Sequence, residues 1–67
     1  MIRVTVNGEP RTLERETSLL GLLEALDLDP RTVVVEHNRN RVRRPALADT
    51  VVRDGDQVEL VHFVGGG

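Results

Sequence analysis

In the run "LLGLLEALDL", Leu19, Leu22, Leu23 and Leu26 recur at the spacing of one helical face, and this stripe constrains the fold more than any other feature of the chain. A helix that is apolar on one side must lay that side on something. Thr17 and Ser18 stand before it as N-cap candidates and Asp29-Pro30 marks its end. The spacing predicts a helix of about three turns whose leucines are core. Gly21 weakens it slightly and permits close packing on a sheet.

The segments on either side supply that sheet. "MIRVTV" alternates Ile2, Val4 and Val6 with Arg3 and Thr5, the period of a strand with one face buried. Asn7-Gly8 follows, and both residues tolerate the positive φ of a tight hairpin turn. The return strand is expected from Arg11 to Glu14, with Pro10 confined to the turn or an edge position. Beyond the helix, "TVVVEHN" is a β-branched run suited to a central strand and "NRN" at 38–40 a turn. Arg41 to Arg44 is expected to return as a short edge strand, and Pro45 to Thr50 as irregular chain or a single helical turn. Asp54-Gly55-Asp56 makes another turn before "QVELVHFV", the last strand.

A chain of 67 residues is one domain with a small core. It contains no cysteine, which removes disulfides, Cys-based zinc sites and thiol chemistry of its own. His37 and His62 stand far apart without a ligand-type partner at a useful spacing, so both read as ordinary strand histidines and no metal site is expected. No signal peptide or membrane-spanning run is recognisable, and the expected compartment is cytoplasmic. The net charge of −2 argues against a general nucleic-acid binder, although Arg39, Arg41, Arg43 and Arg44 crowd into "NRNRVRR". That cluster holds no aromatic ring for a base to stack on. It reads as a solvated turn and strand, with an acidic partner surface as the alternative. All nine basic residues are arginines, so the protein cannot be chained to copies of itself through lysine side chains.

The last strand alternates Val58, Leu60 and His62 with Glu59, Val61 and Phe63. With the first set toward the core, Val61 and Phe63 point outward and, with Val64, form a docking patch. The alternative is that Phe63, the only aromatic residue, closes the bottom of the core. Gly65, Gly66 and Gly67 then offer nothing to bury and lose more conformational entropy on folding than any other residue type. The expected organisation is a folded domain over 1–64 and a flexible tail over 65–67.

One helix over one mixed sheet of four to five strands is the α+β, β-grasp arrangement of ubiquitin-like domains, with the first and last strands side by side and parallel. Within that arrangement, "VTVNG", "LLGLLEALDL", "VVVEHN", "DGDQVELV" and the terminal "VGGG" make the whole chain resemble the ThiS family, the sulfur carriers of thiamin biosynthesis. The arginine-rich stretch at 39–44 departs from the family and is expected to adjust partner contacts only.

The resemblance implies a carrier and cosubstrate with no catalytic residue of its own and no bound cofactor. Gly67 is the terminus that is adenylated and carries sulfur, while Gly65 and Gly66 thread the partners' active sites. A partner of the ubiquitin-activating type, an adenylyltransferase using ATP and magnesium, activates the carboxylate; a sulfur donor such as a cysteine desulfurase supplies sulfur; thiazole synthase receives it. The free protein is expected to be monomeric, without nucleic-acid or membrane partners. The same features also fit the small subunit of molybdopterin synthase, a carrier for an alternative cysteine-forming route, a ubiquitin-like protein modifier, or a plain interaction domain.

Overall fold

The computed structural model describes residues 1–63; Val64 and the glycines expected to form the tail lie outside the described residues. The chain opens as predicted, with β1 (Ile2–Val6) and β2 (Glu9–Leu13) paired antiparallel about Asn7 (φ 51) and Gly8 (φ 80). Two positive φ values in a two-residue loop give the turn whose twist matches the flanking strands. The return strand starts two residues earlier than Arg11. Pro10 lies inside it, opposite Thr5, which is tolerated because β2 is the edge of the sheet.

The helix α1 is shorter than the leucine spacing predicts: Leu19–Ala25, two turns rather than three. Ser18 is its N-cap, its hydroxyl oxygen accepting the Gly21 N–H at 2.9 Å. Asp27 ends it by taking a left-handed conformation (φ 59). Its N–H then bonds the Glu24 carbonyl at 3.0 Å, and the Leu28 N–H bonds the Leu23 carbonyl at 2.9 Å. These two bonds form a Schellman cap with aspartate where glycine is usual. Leu26 and Leu28 still pack against the core, which is why the apolar stripe outlasts the helix. Asp29 does not end α1; it caps a separate 3-10 turn, Pro30–Thr32.

β4 (Val33–His37) and β5 (Asn40–Val42) follow, joined by Asn38 (φ 50) and Arg39 (φ 74). β5 stops before Arg43 and Arg44, because Pro45 enters a 3-10 turn over Arg44–Asp49 that inserts Leu47 into the core. Thr17–Ser18 (β3) and Val51–Val52 (β6) form a two-residue antiparallel ribbon, too short to leave a period in the sequence. The last strand, β7 (Gln57–His62), completes a five-stranded sheet of order β2-β1-β7-β4-β5. β7 runs parallel to β1 and antiparallel to β4, so the β-grasp order expected from the sequence is the observed one.

The core is wholly aliphatic. Val4, Val6, Val33, Val35, Val58 and Leu60 come from the inner sheet face; Leu19, Leu22 and Leu23 from α1; Leu47 and Val52 from the segment that closes the far side. No polar or charged residue is buried among the described residues. No helix among them is long and apolar enough to cross a membrane.

Candidate functional site

β7 carries the chain to its glycines, and the neighbouring elements hold it along its whole length. At its start, the Asn38 side-chain oxygen accepts the Gln57 N–H at 2.9 Å, and the Asn38 N–H donates to the Gln57 carbonyl at 2.8 Å. Asp56 is tied into the same corner, accepting from the Arg53 N–H at 2.8 Å and the Asn38 amide at 3.3 Å, with His37 Nε2 at 2.7 Å. Burial alone raises the Asp56 carboxyl's pKa; the bonds from Arg53, His37 and Asn38 outweigh it, and the net displacement is downward.

In the middle of β7 the parallel ladder with β1 ends at Val6 opposite Val58. Asn7 extends it by one step: its N–H donates to the Val58 carbonyl at 2.9 Å, and its side-chain oxygen accepts the Leu60 N–H at 2.7 Å. Without that oxygen a partly buried strand N–H loses its partner. At the far end the Phe63 N–H reaches the Thr32 carbonyl at 3.2 Å, the last bond of the β4–β7 ladder before the described residues stop.

On the outer sheet face, Val61 lies opposite Val34 and Glu59 opposite Glu36, which is itself opposite Arg41 on β5. Val61 is 59% exposed and Phe63 44% exposed. Both are exposed and neither belongs to the core cluster; Phe63 also borders a cleft lined by Val33, Val42 and Leu47. An apolar pair beside the exit of the chain is a surface suited to a partner, and like charges directly opposite each other at Glu36 and Glu59 weaken the sheet slightly rather than serve its folding. His62 alternates with them as expected but is exposed at the end of the sheet rather than turned into the core. Val64, Gly65, Gly66 and Gly67, the remaining expected site residues, lie outside the described residues.

The two histidines are not brought together. His37 serves the Asp56 corner, and among the described residues no group of three or more His, Asp and Glu is placed to hold a metal. Sequence reasoning missed Asn7, whose Asn-Gly dipeptide is explained by the turn alone, and Asp56, which is hidden in an ordinary Asp-Gly-Asp turn. Only the pairing of β7 with β1 and β4 reveals what either side chain holds.

Similarity to known proteins follows the same framework. The family model described as the ThiS family matches residues 4–67. The chain is 42% identical over 66 residues to a thiazole synthase of Magnetococcus marinus, covering 98% of this chain and 20% of that protein. It thus spans about a fifth of the thiazole synthases it matches. To the sulfur carrier protein ThiS of Thermus thermophilus it is 39% identical over 64 residues, covering 96% of this chain and 98% of that one. The crystal structure of the thiamine biosynthesis protein ThiS from Geobacter metallireducens superposes with a TM-score of 0.86 at 39% identity, over 98% of this chain and 100% of that one. A match over nearly the full sequence, at this identity and with the same sheet and helix, means that the chain belongs to the ThiS family.

Proposed function

We propose that this protein carries sulfur on the carboxyl group of Gly67 and delivers it for thiazole formation. The observation that carries the reading is the course of β7: a strand fixed between β1 and β4, with exposed Val61 and Phe63, continues in sequence directly into Gly65-Gly66-Gly67. ThiS-family proteins interact with an adenylyltransferase and a thiazole synthase. The finer assignment for this chain, an activating enzyme of the ubiquitin-activating type and a cysteine desulfurase as sulfur source, belongs to the same proposal.

The chemistry follows from an ionised carboxylate. With a pKa of roughly 3.3–3.7, a C-terminal carboxyl is deprotonated at neutral pH and one oxygen can attack the α-phosphate of ATP. Pyrophosphate leaves and an acyl-adenylate remains. A sulfur nucleophile then attacks the acyl carbon, AMP departs, and the terminus becomes a thiocarboxylate. Magnesium on the activating partner supports the phosphoryl step. Glycine suits a terminus that is handed between enzymes, because without a Cβ it fits narrow channels and leaves the acyl carbon unshielded. The body of the protein gives recognition through Val61, Phe63 and Val64, and the chemistry stays with the partners. ATP dependence goes with a cytoplasmic setting.

Deletion of Gly67 tests the assignment directly. We expect ATP–pyrophosphate exchange by the cognate activating enzyme to disappear while thermal unfolding is unchanged, because the core is built from residues between Val4 and Leu60. Exchange at the wild-type rate by the shortened protein would overturn it.

A further inference from the structure

The arginine cluster at 39–44 is not absorbed by the tail chemistry, and the fold gives it a definite place. β5 pairs with β4 only from Val35 to His37, so Val33 and Val34 have a strand partner on the β7 side and none on the other. The chain leaves this edge after Val42, runs through extended Arg43 (φ −78, ψ 156), and turns inward at Pro45. Between the edge of β4 and the returning chain lies a cleft of about 340 Å³, with Val33, Val42, Leu47 and Phe63 among the apolar residues that line it. Arg41, Arg43 and Arg44 line it as well. All three are exposed, and among the described residues none of them makes an ion pair.

Nearby acids offset them only in part, Arg44 adding to the pull that holds the Asp29 carboxyl low and Arg41 lying opposite Glu36. Asp29 is chelated by Arg31, whose Nη2 lies 2.8 Å from its carboxylate. Glu36 faces Arg41 across the β4–β5 pair, on the outer face. The chain as a whole is acidic, so three unpaired cations on one cleft are a local concentration against the overall charge. The cleft volume is at the low end of small-molecule sites, which run roughly 300–1,000 Å³, and suits one or two aliphatic side chains. Its floor offers Phe63 as the single ring, too little for the successive stacking that single-stranded nucleic acid requires.

From this edge, floor and rim we infer that the cleft is a docking site for an acidic, extended segment of a partner protein. The segment runs past Val33, whose backbone N–H and C=O face away from β7, sets an aliphatic side chain against Val42, Leu47 and Phe63, and places carboxylates on Arg41, Arg43 and Arg44. The inference goes beyond the sulfur-carrier reading and does not depend on Gly67, so the two can fail separately.

The test is an amide chemical-shift titration of the full-length, isotope-labelled protein with three probes: the acetylated and amidated peptide Asp-Glu-Val-Ile-Asp-Glu, its Asn/Gln counterpart, and a ten-nucleotide oligothymidine. The acidic peptide is expected to shift Val33 to Val35, Arg41 to Leu47 and Phe63 with a Kd below about 1 mM. The neutral peptide and the Arg41→Gln/Arg43→Gln/Arg44→Gln variant are expected to bind about tenfold or more weakly, with resonances of the remaining sheet unmoved. Should the triple variant not fold, rising NaCl on the wild type gives the same reading, a progressive loss of affinity. No binding of the acidic peptide, equal binding of the neutral one, shifts centred on β1 and β2, or tighter binding of the oligonucleotide would each overturn the inference.

Discussion

Asn7 does two jobs with one residue. It takes the positive φ of the hairpin turn (φ 51), and its side-chain oxygen accepts the Leu60 N–H in the strand that leads to the glycines. Asn7→Ala removes the acceptor and puts a Cβ-bearing residue with no side-chain hydrogen bond into a left-handed conformation. We expect a loss of about 1–3 kcal/mol in urea unfolding. Asn7→Asp, which keeps an acceptor, should recover most of it. Asp56 fixes the other end of β7, and its depressed pKa has a definite sign. Its contribution is present above the unfolded-state pKa and is lost as pH falls through the lower folded-state value. Wild-type stability should therefore decline on acidification through the carboxylate range. Asp56→Asn should be less stable at neutral pH and show a smaller decline, measured by thermal unfolding across pH; an unchanged pH profile would remove Asp56 from this role. Neither residue's duty was legible in the sequence, because turn chemistry already explains an Asn-Gly and an Asp-Gly-Asp, and the bonds they make span 53 positions for Asn7 and 19 for His37–Asp56.

Local pattern was most informative where an element buries one face. β1 and β7 follow the alternation of their apolar residues and α1 its leucines, because burial on one side imposes a period, while β4 follows its β-branched run. Where backbone geometry decides instead, the pattern ran past the structure. Leu26 and Leu28 continue the stripe although Asp27 has already turned the chain, and the β3–β6 ribbon has only two residues a side. Gly21 shows how close α1 sits to that ribbon: a Cβ added there would overlap Thr17 Oγ1 and approach Ser18 Oγ at 3.4 Å. Helix propensity favours Gly21→Ala by about 1 kcal/mol, whereas overpacking typically costs 1–3 kcal/mol. Since Thr17 is held in β3 and Ser18 is the N-cap, crowding should win, and Gly21→Ala should lower the unfolding midpoint. A raised midpoint would mean that Thr17 rotates away without loss.

For the molecule as a whole, the sheet order puts the last strand at the centre, held on both sides by β1 and β4. Bonds from Asn7, Asn38 and Thr32 add to the ladders that β7 makes with β1 and β4. The candidate patch at Val61 and Phe63 was legible because alternation from Val58 and Leu60 sends them outward; the cleft beside Arg41, Arg43 and Arg44 was not, since it exists only where β5 stops short of the end of β4. The most direct measurement of sulfur carriage incubates the protein with its activating enzyme, ATP and a sulfur source, traps the product by alkylation, and locates the modification by mass spectrometry of C-terminal fragments, which separates oxygen-to-sulfur exchange at Gly67 from oxidation of Met1. The predicted result is an alkylated thiocarboxylate at Gly67, absent when ATP is withheld. An unmodified Gly67 carboxylate under conditions in which the same enzyme and sulfur source convert another ThiS-family protein would contradict it.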